Sequence, residues 1–294
     1  MTRWWVTVNP AAGRGRDLTR RVESALDVRA VDYELRTSET AEAVGGIIAQ
    51  GRDLGYDSFL AVGGDGTANL VLNHILAGEW PRPPTLGILP AGSGSDFVRT
   101  FAIPNELEAA ADHLLDEDRY PVDVGRLAGR FGRSYFLNAA NAGLGARTVV
   151  EAARFPDWMG PRRYLAGFWS ALARTVPDKI RVDCDARTIT TIGWNVVIAN
   201  GQFFGGGMNV APRAAAGDGL FDVQVFSGRR RIAPVVIRRV VRGTHLTHTA
   251  VRRTTGRRVD VDIPQDWLVE ADGEIVGRGP FSAEVLGGLL DFKI

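Results

Sequence analysis

The sequence predicts an α/β domain on a parallel sheet followed by an antiparallel β-sandwich domain. Three observations carry this expectation. Strand-like and helical periods alternate from Trp4 to about Arg119, and glycine-rich turns stand at the ends of three predicted strands. After Pro121 the texture changes to short β-branched or alternating segments punctuated by Gly, Asn and Asp. With 294 residues, 45% hydrophobic and 23% charged, the chain can build two cores. The expected boundaries are 1–121 and 122–282, with 283–294, ending in the apolar LLDFKI, returning to the first domain.

Within the first domain, apolar runs at 4–8, 31–36, 58–62 and 86–89 read as strands, and 17–28, 40–54 and 67–76 as helices. Such βαβα order collects ligands at the carboxyl ends of the strands. The first strand runs into Asn9, Pro10, Gly13 and Gly15, the third into GGDGT at 63–67, and the fourth into PAGSGSD at 90–96. In the second domain, strands are expected at 122–127, 135–139, 180–184, 189–199, 219–226, 258–263 and 267–276, interrupted by helices at 163–176 and 232–242.

FLAVGGDGTAN at 59–69 is the most informative stretch. Gly63, Gly64 and Gly66 let backbone approach a ligand, and the amides opening the helix near Thr67 offer partial positive charge to an anion. A carboxylate at Asp65 beside phosphates makes sense if it holds Mg²⁺ or meets a hydroxyl proton, which points to phosphoryl transfer. Taken alone, the five residues equally describe an ordinary strand-to-helix turn. No GxxxxGK[ST], helix-opening GxGxxG, HExxH, GxSxG or paired CxxC occurs, so the commonest nucleotide, hydrolase and metal-cluster readings are excluded.

A net charge of +1 provides no global field to recruit nucleic acid. Cys184 is the only cysteine, so no intramolecular disulfide is possible, and a cytoplasmic location is the expectation. No apolar stretch approaches a membrane span, so a lipid substrate requires peripheral, transient contact with a membrane surface.

Asn9-Pro10-Ala11-Ala12-Gly13, GGDGT at 63–67, PAGSGSDFVRTF at 90–101, APRAAAGDGLFDV at 211–223 and the later DGE at 272–274 together resemble the diacylglycerol kinase and sphingosine kinase family, in its bacterial soluble branch. The resemblance covers essentially the whole chain. It implies an NAD kinase/phosphofructokinase-like α/β nucleotide-binding domain plus the sandwich, and ATP-dependent phosphorylation of a lipid hydroxyl in a cleft between them. The leading acceptor is diacylglycerol, giving phosphatidic acid. Nucleotide contacts carried over by motif fall on Asn9, Pro10, Ala11, Ala12, Gly13, Thr37, Gly63, Gly64, Asp65, Gly66, Thr67, Asn69 and Ser93. A structural Mg²⁺ is implied at Asp218, with carbonyls of Ala215 and Leu220.

Asp272, Glu274 and Asp65 are the catalytic candidates implied. Read as one extended segment, Asp272 and Glu274 point to one face and could share a cleft. Local sequence alone favours an Asp-Gly hairpin turn there. Ser93 and Ser95 replace the threonine and asparagine of the usual GTxND, and Leu70 and His74 also depart from the pattern. His74, His113, His245 and His248 read as packing or surface histidines.

Phe155, Trp158, Met159, Tyr164, Leu165, Phe168, Trp169 and Leu172 form the densest aromatic cluster, either a helix on the sandwich core or a groove for acyl chains. Arg229, Arg230, Arg231, Arg238, Arg239 and Arg242 form a local basic patch that is either simply solvated or touches anionic headgroups. The alternatives are an NAD kinase and a catalytically weak lipid-binding protein. An exposed sheet edge would allow a homodimer.

Overall fold

The computed structural model describes residues 2–12, 17–91, 95–159 and 162–294. Contacts divide the chain into two compact units, Met1–Asp123 with Gly287–Ile294, and Val124–Leu286.

The first unit runs β1 (Arg3–Val8), α1 (Leu18–Asp27), β2 (Asp32–Thr37), α2 (Ala41–Asp53), β3 (Ser58–Gly63), α3 (Asp65–Leu76), β4 (Thr85–Pro90), α4 (Asp96–Thr100) and α5 (Leu107–Ala110). Its sheet is parallel in the order β4-β3-β1-β2. Every residue of β3 and β4 is buried, as expected where helices cover both faces. On α1 the buried residues Leu18, Val22, Ala25 and Leu26 follow the helical period. On α2 a Cβ at Gly51 would stand 2.8 Å from the Trp5 ring, so a small residue allows the close approach.

The second unit contains β5 (Arg119–Gly129, which begins in the first unit), β6 (Gly132–Phe136), β7 (Ala139–Gly143), α6 (Leu144–Ala152), α7 (Arg162–Arg174), β8 (Asp178–Cys184) and β9 (Arg187–Ala199). There follow the short strands β10 (Phe203–Phe204) and β11 (Met208–Asn209), then β12 (Phe221–Ser227), α8 (Ala233–Val241), β13 (Val251–Gly256), β14 (Arg258–Asp262), β15 (Leu268–Ala271), β16 (Glu274–Arg278) and β17 (Phe281–Lys293). Antiparallel pairing links β7, β9 and β12 on one side and β8, β14 and β17 on the other. They share an apolar core in which Phe136 of β6 stacks on Phe221 of β12 at 5.5 Å. Val196 and Ile198 of β9 face this core, whereas Val197 and Ala199 face a second core under α6, α7 and α8. The C-terminal residues Asp291 and Phe292 of β17 run parallel beside β4.

The α/β and antiparallel sandwich architecture is the one the sequence predicts, with local differences. The expected strand at 135–139 is two strands, because the amides of Leu137, Asn138 and Ala139 turn toward a side chain, described below. The expected strand at 267–276 is a hairpin broken at Asp272 and Gly273. Helix α6 opens after Gly143 at φ 101° and was not expected. Strand β13 was also missed, since its sequence VRRTTG offers little apolar alternation.

Candidate active site

In the first unit, parallel register brings Val8, Thr37 and Val62 level, and Gly63 beside Pro90. The expected loops therefore leave one edge of this sheet. Asn9 folds back: its Oδ1 accepts the Ala11 N–H at 3.0 Å, and its Nδ2 donates to Thr67 Oγ1 at 3.1 Å, tying the first loop to α3. Pro10, Ala11 and Ala12 form a single 3₁₀ turn with no buried residue. Gly64 caps α3, so the helix starts at Asp65, two residues before the expected position. The first N–H groups of α3 point out of its end, as an anion site requires.

Gly63 has a packing reason: a Cβ there would stand 2.3 Å from Thr67 Oγ1. Thr67 and Asn69 are buried, and Asn69 Oδ1 accepts from Asn73 at 3.1 Å. Thr37 is exposed at the end of β2. Gly13 and Ser93 lie outside the described residues.

The Asp65 carboxylate accepts the Asp96 N–H at 3.0 and 2.9 Å and the Phe97 N–H at 3.4 Å. It thus caps α4, whose own N-cap residue, Ser95, makes no side-chain cap bond. Ser95 is buried, with its hydroxyl 3.4 Å from the Gly63 carbonyl.

In the second unit, Asp272 and Glu274 are not two positions of one extended strand. Asp272 at φ 48° and Gly273 at φ 91° make the tight turn between β15 and β16, as an Asp-Gly pair allows. The two carboxylates are consequently sent to different surroundings. Asp272 is buried, and its carboxylate accepts N–H groups of Leu137 at 2.7 Å, Asn138 at 2.9 Å and Ala139 at 3.0 Å. Three backbone donors are what a carboxylate needs to be buried. Glu274 opens β16, and its carboxylate makes no hydrogen bond or ion pair among the described residues. It keeps more than a third of its surface, yet desolvation by its neighbours raises its carboxyl above the ordinary glutamate range.

Sequence reasoning missed the polar group around this turn. Asn138 and Asn141 are buried, as is Glu270, which accepts from Asn141 Nδ2 and from the Gly273 N–H. The available signal was LNAANAG at 137–143, because asparagines between small apolar residues are unfavourable in a strand unless they have polar partners.

At the expected Mg²⁺ position, Asp218 is exposed in a turn, with Oδ1 accepting the Leu220 N–H at 3.0 Å and its own N–H 3.4 Å from the Ala215 carbonyl. Among the described residues no group of three or more His, Cys, Asp and Glu could hold a metal. One carboxylate and two carbonyls do not by themselves fit the six-oxygen shell of a resident Mg²⁺. The half-buried His113 and the buried His245 have packing roles: desolvation pushes the His113 imidazole pKa down to about 4, and His245 Nε2 lies 2.9 Å from Gln224 Oε1. The ring of His74 packs where a Cβ on Gly45 would meet it at 2.8 Å.

The aromatic cluster is divided. Leu172 packs in the core with Phe168 against it, and Gly167 brings α7 close to Ala152 of α6. Trp158 at 85%, Leu165 at 61% and Trp169 at 53% exposure face outward. Arg230 of the basic patch donates to the Ala173 carbonyl of α7 at 2.7 Å, so the patch adjoins this helix. Among the described residues no helix is long and apolar enough to cross a membrane.

Comparison with known proteins agrees with the α/β and β-sandwich architecture. Residues 3–127 match the diacylglycerol kinase catalytic domain, and residues 138–293 match the YegS C-terminal NAD kinase beta sandwich-like domain. A relative named diacylglycerol kinase from Bacillus subtilis (strain 168) is 27% identical over 232 residues, covering 76% of this chain and 73% of its own. Another from Staphylococcus saprophyticus is 26% identical over 282 residues, covering 94% and 90%. The crystal structure of a diacylglycerol kinase from Bacillus anthracis str. Sterne shares the fold, with a TM-score of 0.74, 19% identity and coverage of 99% of this chain and 96% of that one. Because the two domain models follow each other in the order of the two units, and the second alone spans more than half of the sequence, the chain belongs to the diacylglycerol kinase-like lipid kinases, ATP-dependent phosphotransferases with an alcohol group as acceptor.

Proposed function

We propose that the acceptor is diacylglycerol, that the product is phosphatidic acid and that Glu274 takes the proton of the acceptor hydroxyl. The observation that carries this reading is the contrast among three carboxylates. Asp65 and Asp272 are held by backbone amides, whereas Glu274 has no partner among the described residues and is desolvated. A raised carboxyl pKa brings a base nearer to the pH at which it works.

In this account the head of α3, Gly64, Gly66 and the turn at Asn9 to Ala12 receive the ATP phosphates through backbone N–H groups. The acceptor oxygen attacks the γ-phosphorus, its proton passes to ionised Glu274, the bond to the bridging oxygen breaks and ADP leaves. Mg²⁺ carried on ATP as part of the substrate would neutralise phosphate charge, and no residue of this chain is assigned to hold it. Asp65 caps α4, and Asp272 fixes the turn before Glu274.

Gly63→Ala tests the nucleotide loops. The added methyl must displace Thr67 from Asn9, and overpacking of about 1–3 kcal/mol is expected to weaken ATP binding about tenfold. An unchanged dissociation constant would mean that this packing does not shape the site.

The outward face of α7, with Trp158 before it and the adjoining arginines, is proposed to rest on an anionic bilayer. A Trp158→Ser, Trp169→Ser protein should sediment less with vesicles containing anionic lipid while phosphorylating a short-chain, water-soluble diacylglycerol at the parental rate. Equal loss on both substrates would argue against a membrane role. The acceptor itself is settled by offering diacylglycerol, a sphingoid base, a long-chain alcohol and NAD with labelled ATP. Label is expected chiefly in phosphatidic acid, and preferential formation of NADP would replace this reading with a nucleotide kinase.

A further inference from the structure

We propose that Glu270, together with Asn141, is a positioning residue that fixes the Asp272–Gly273 turn and thereby the direction of Glu274. The inference rests on the assignment of Glu274 as the proton acceptor.

Glu270 is only 1% exposed, between Val269 and Ala271, which both lie in the apolar core. A buried carboxylate is costly unless its oxygens are paired. Here one oxygen accepts from Asn141 Nδ2, directly across the β15–β7 ladder, and the other accepts the backbone N–H of Gly273. The β15–β16 register shifts between Val269 and Glu270, a bulge of the kind that re-aims neighbouring side chains. The turn is therefore gripped at both central residues. Asp272 is held by the amides of Leu137 to Ala139, and Gly273 by Glu270. Glu274 is the next residue along the chain. Being buried, Glu270 is not placed to meet a substrate and acts through Glu274.

The charged groups on the elements packed against β16 are engaged. Glu270 on β15 is held by the Asn141 side-chain amide and the Gly273 N–H, and Asp272 in the turn by backbone amides. On α6, which packs against β16, Glu151 is held by Arg154, Arg174 and Ser170, and Arg147 donates to the Arg174 carbonyl. Desolvation alone raises Glu274, so loosening the turn admits water and lowers its pKa.

Glu270→Gln separates positioning from charge. Its carbonyl can still accept from Gly273, and its amide can donate to Asn141 Oδ1, a buried oxygen without a partner, once the Asn141 amide turns over. Glu270→Ala removes both bonds.

The test uses the full chain, Mg-ATP and diacylglycerol in mixed micelles, with thermal unfolding as the check on folding. Glu270→Ala is expected to lower kcat about a hundredfold, as misplacement by an ångström can do. It should leave KM for ATP unchanged and shift the acid limb of the pH profile to lower pH. Glu270→Gln should retain kcat and pH profile close to the parent's. If Glu270→Ala does not fold, Glu270→Asp, which keeps the charge but shortens the reach to Gly273, carries the same expectations. A folded Ala or Asp variant with parental kcat, or with reduced kcat and an unmoved acid limb, overturns the inference. Parental kcat in Glu274→Gln overturns instead the assignment of the base on which it rests.

Discussion

Replacing Asp272 by asparagine is expected to lower the thermal unfolding midpoint by about 10 °C. The side chain keeps its shape, and asparagine tolerates the left-handed backbone at φ 48°, so conformational strain is not introduced. What changes is the charge and one acceptor oxygen. Three N–H groups of Leu137, Asn138 and Ala139 now converge on a carboxylate, and an amide would direct its own NH₂ at one of them. Hydrogen bonds to a charged group contribute about 1.5–3 kcal/mol each, so losing one and weakening the other two removes a large share of a total stability of about 5–15 kcal/mol. Asp272→Ala should be worse by a further ~1 kcal/mol or more, because alanine disfavours positive φ. Differential scanning calorimetry checks both. A midpoint within about 2 °C of the parent, worth no more than about 1 kcal/mol in a protein of this size, would show that the three bonds do not hold the β6–β7 connection.

The opposite balance is expected for Glu274→Gln, with kcat lowered about 10²- to 10⁴-fold and stability unharmed. Folding raises the Glu274 carboxyl pKa, so the folded state binds this proton more tightly than the unfolded state. The resulting penalty on the folded state is absent below the ordinary glutamate pKa. It grows as pH rises and is fully present above the raised folded value. Removing the ionisable group therefore leaves the variant at least as stable as the parent at neutral pH. In the parent, the acid limb of kcat/KM should lie above the pH where an exposed glutamate titrates, and in the variant that limb should vanish. Steady-state rates across the acid range decide this, and a persisting limb would assign the titration to another group.

The two layers of the fold were legible because their periods differ. Segments such as FLAVG and the Leu18, Val22, Ala25, Leu26 stripe of α1 carry strand and helix spacing in a few residues. The GGDGT loop was legible too, since glycines mark where backbone must pass close, and at Gly63 the close neighbour is Thr67. The directions of the acidic side chains were not legible. Asp65 and Asp272 attract attention as carboxylates, yet each reaches amides far away in sequence, at residues 96–97 and 137–139, and no local pattern announces such partners. Reading 272–274 as extended failed because Asp-Gly satisfies a two-residue turn better than a strand. Glu270 escaped notice because its partners, Asn141 and Gly273, come together only when β7 and β15 pair.

The most direct measurement is conversion of diacylglycerol to phosphatidic acid by the purified protein with Mg-ATP in mixed micelles, quantified by mass beside ADP release and repeated with Glu274→Gln. The account predicts one phosphatidic acid per ADP and near-complete loss in the variant. A folded, ATP-binding protein that phosphorylates no lipid, or a Glu274→Gln protein as active as the parent, would contradict it.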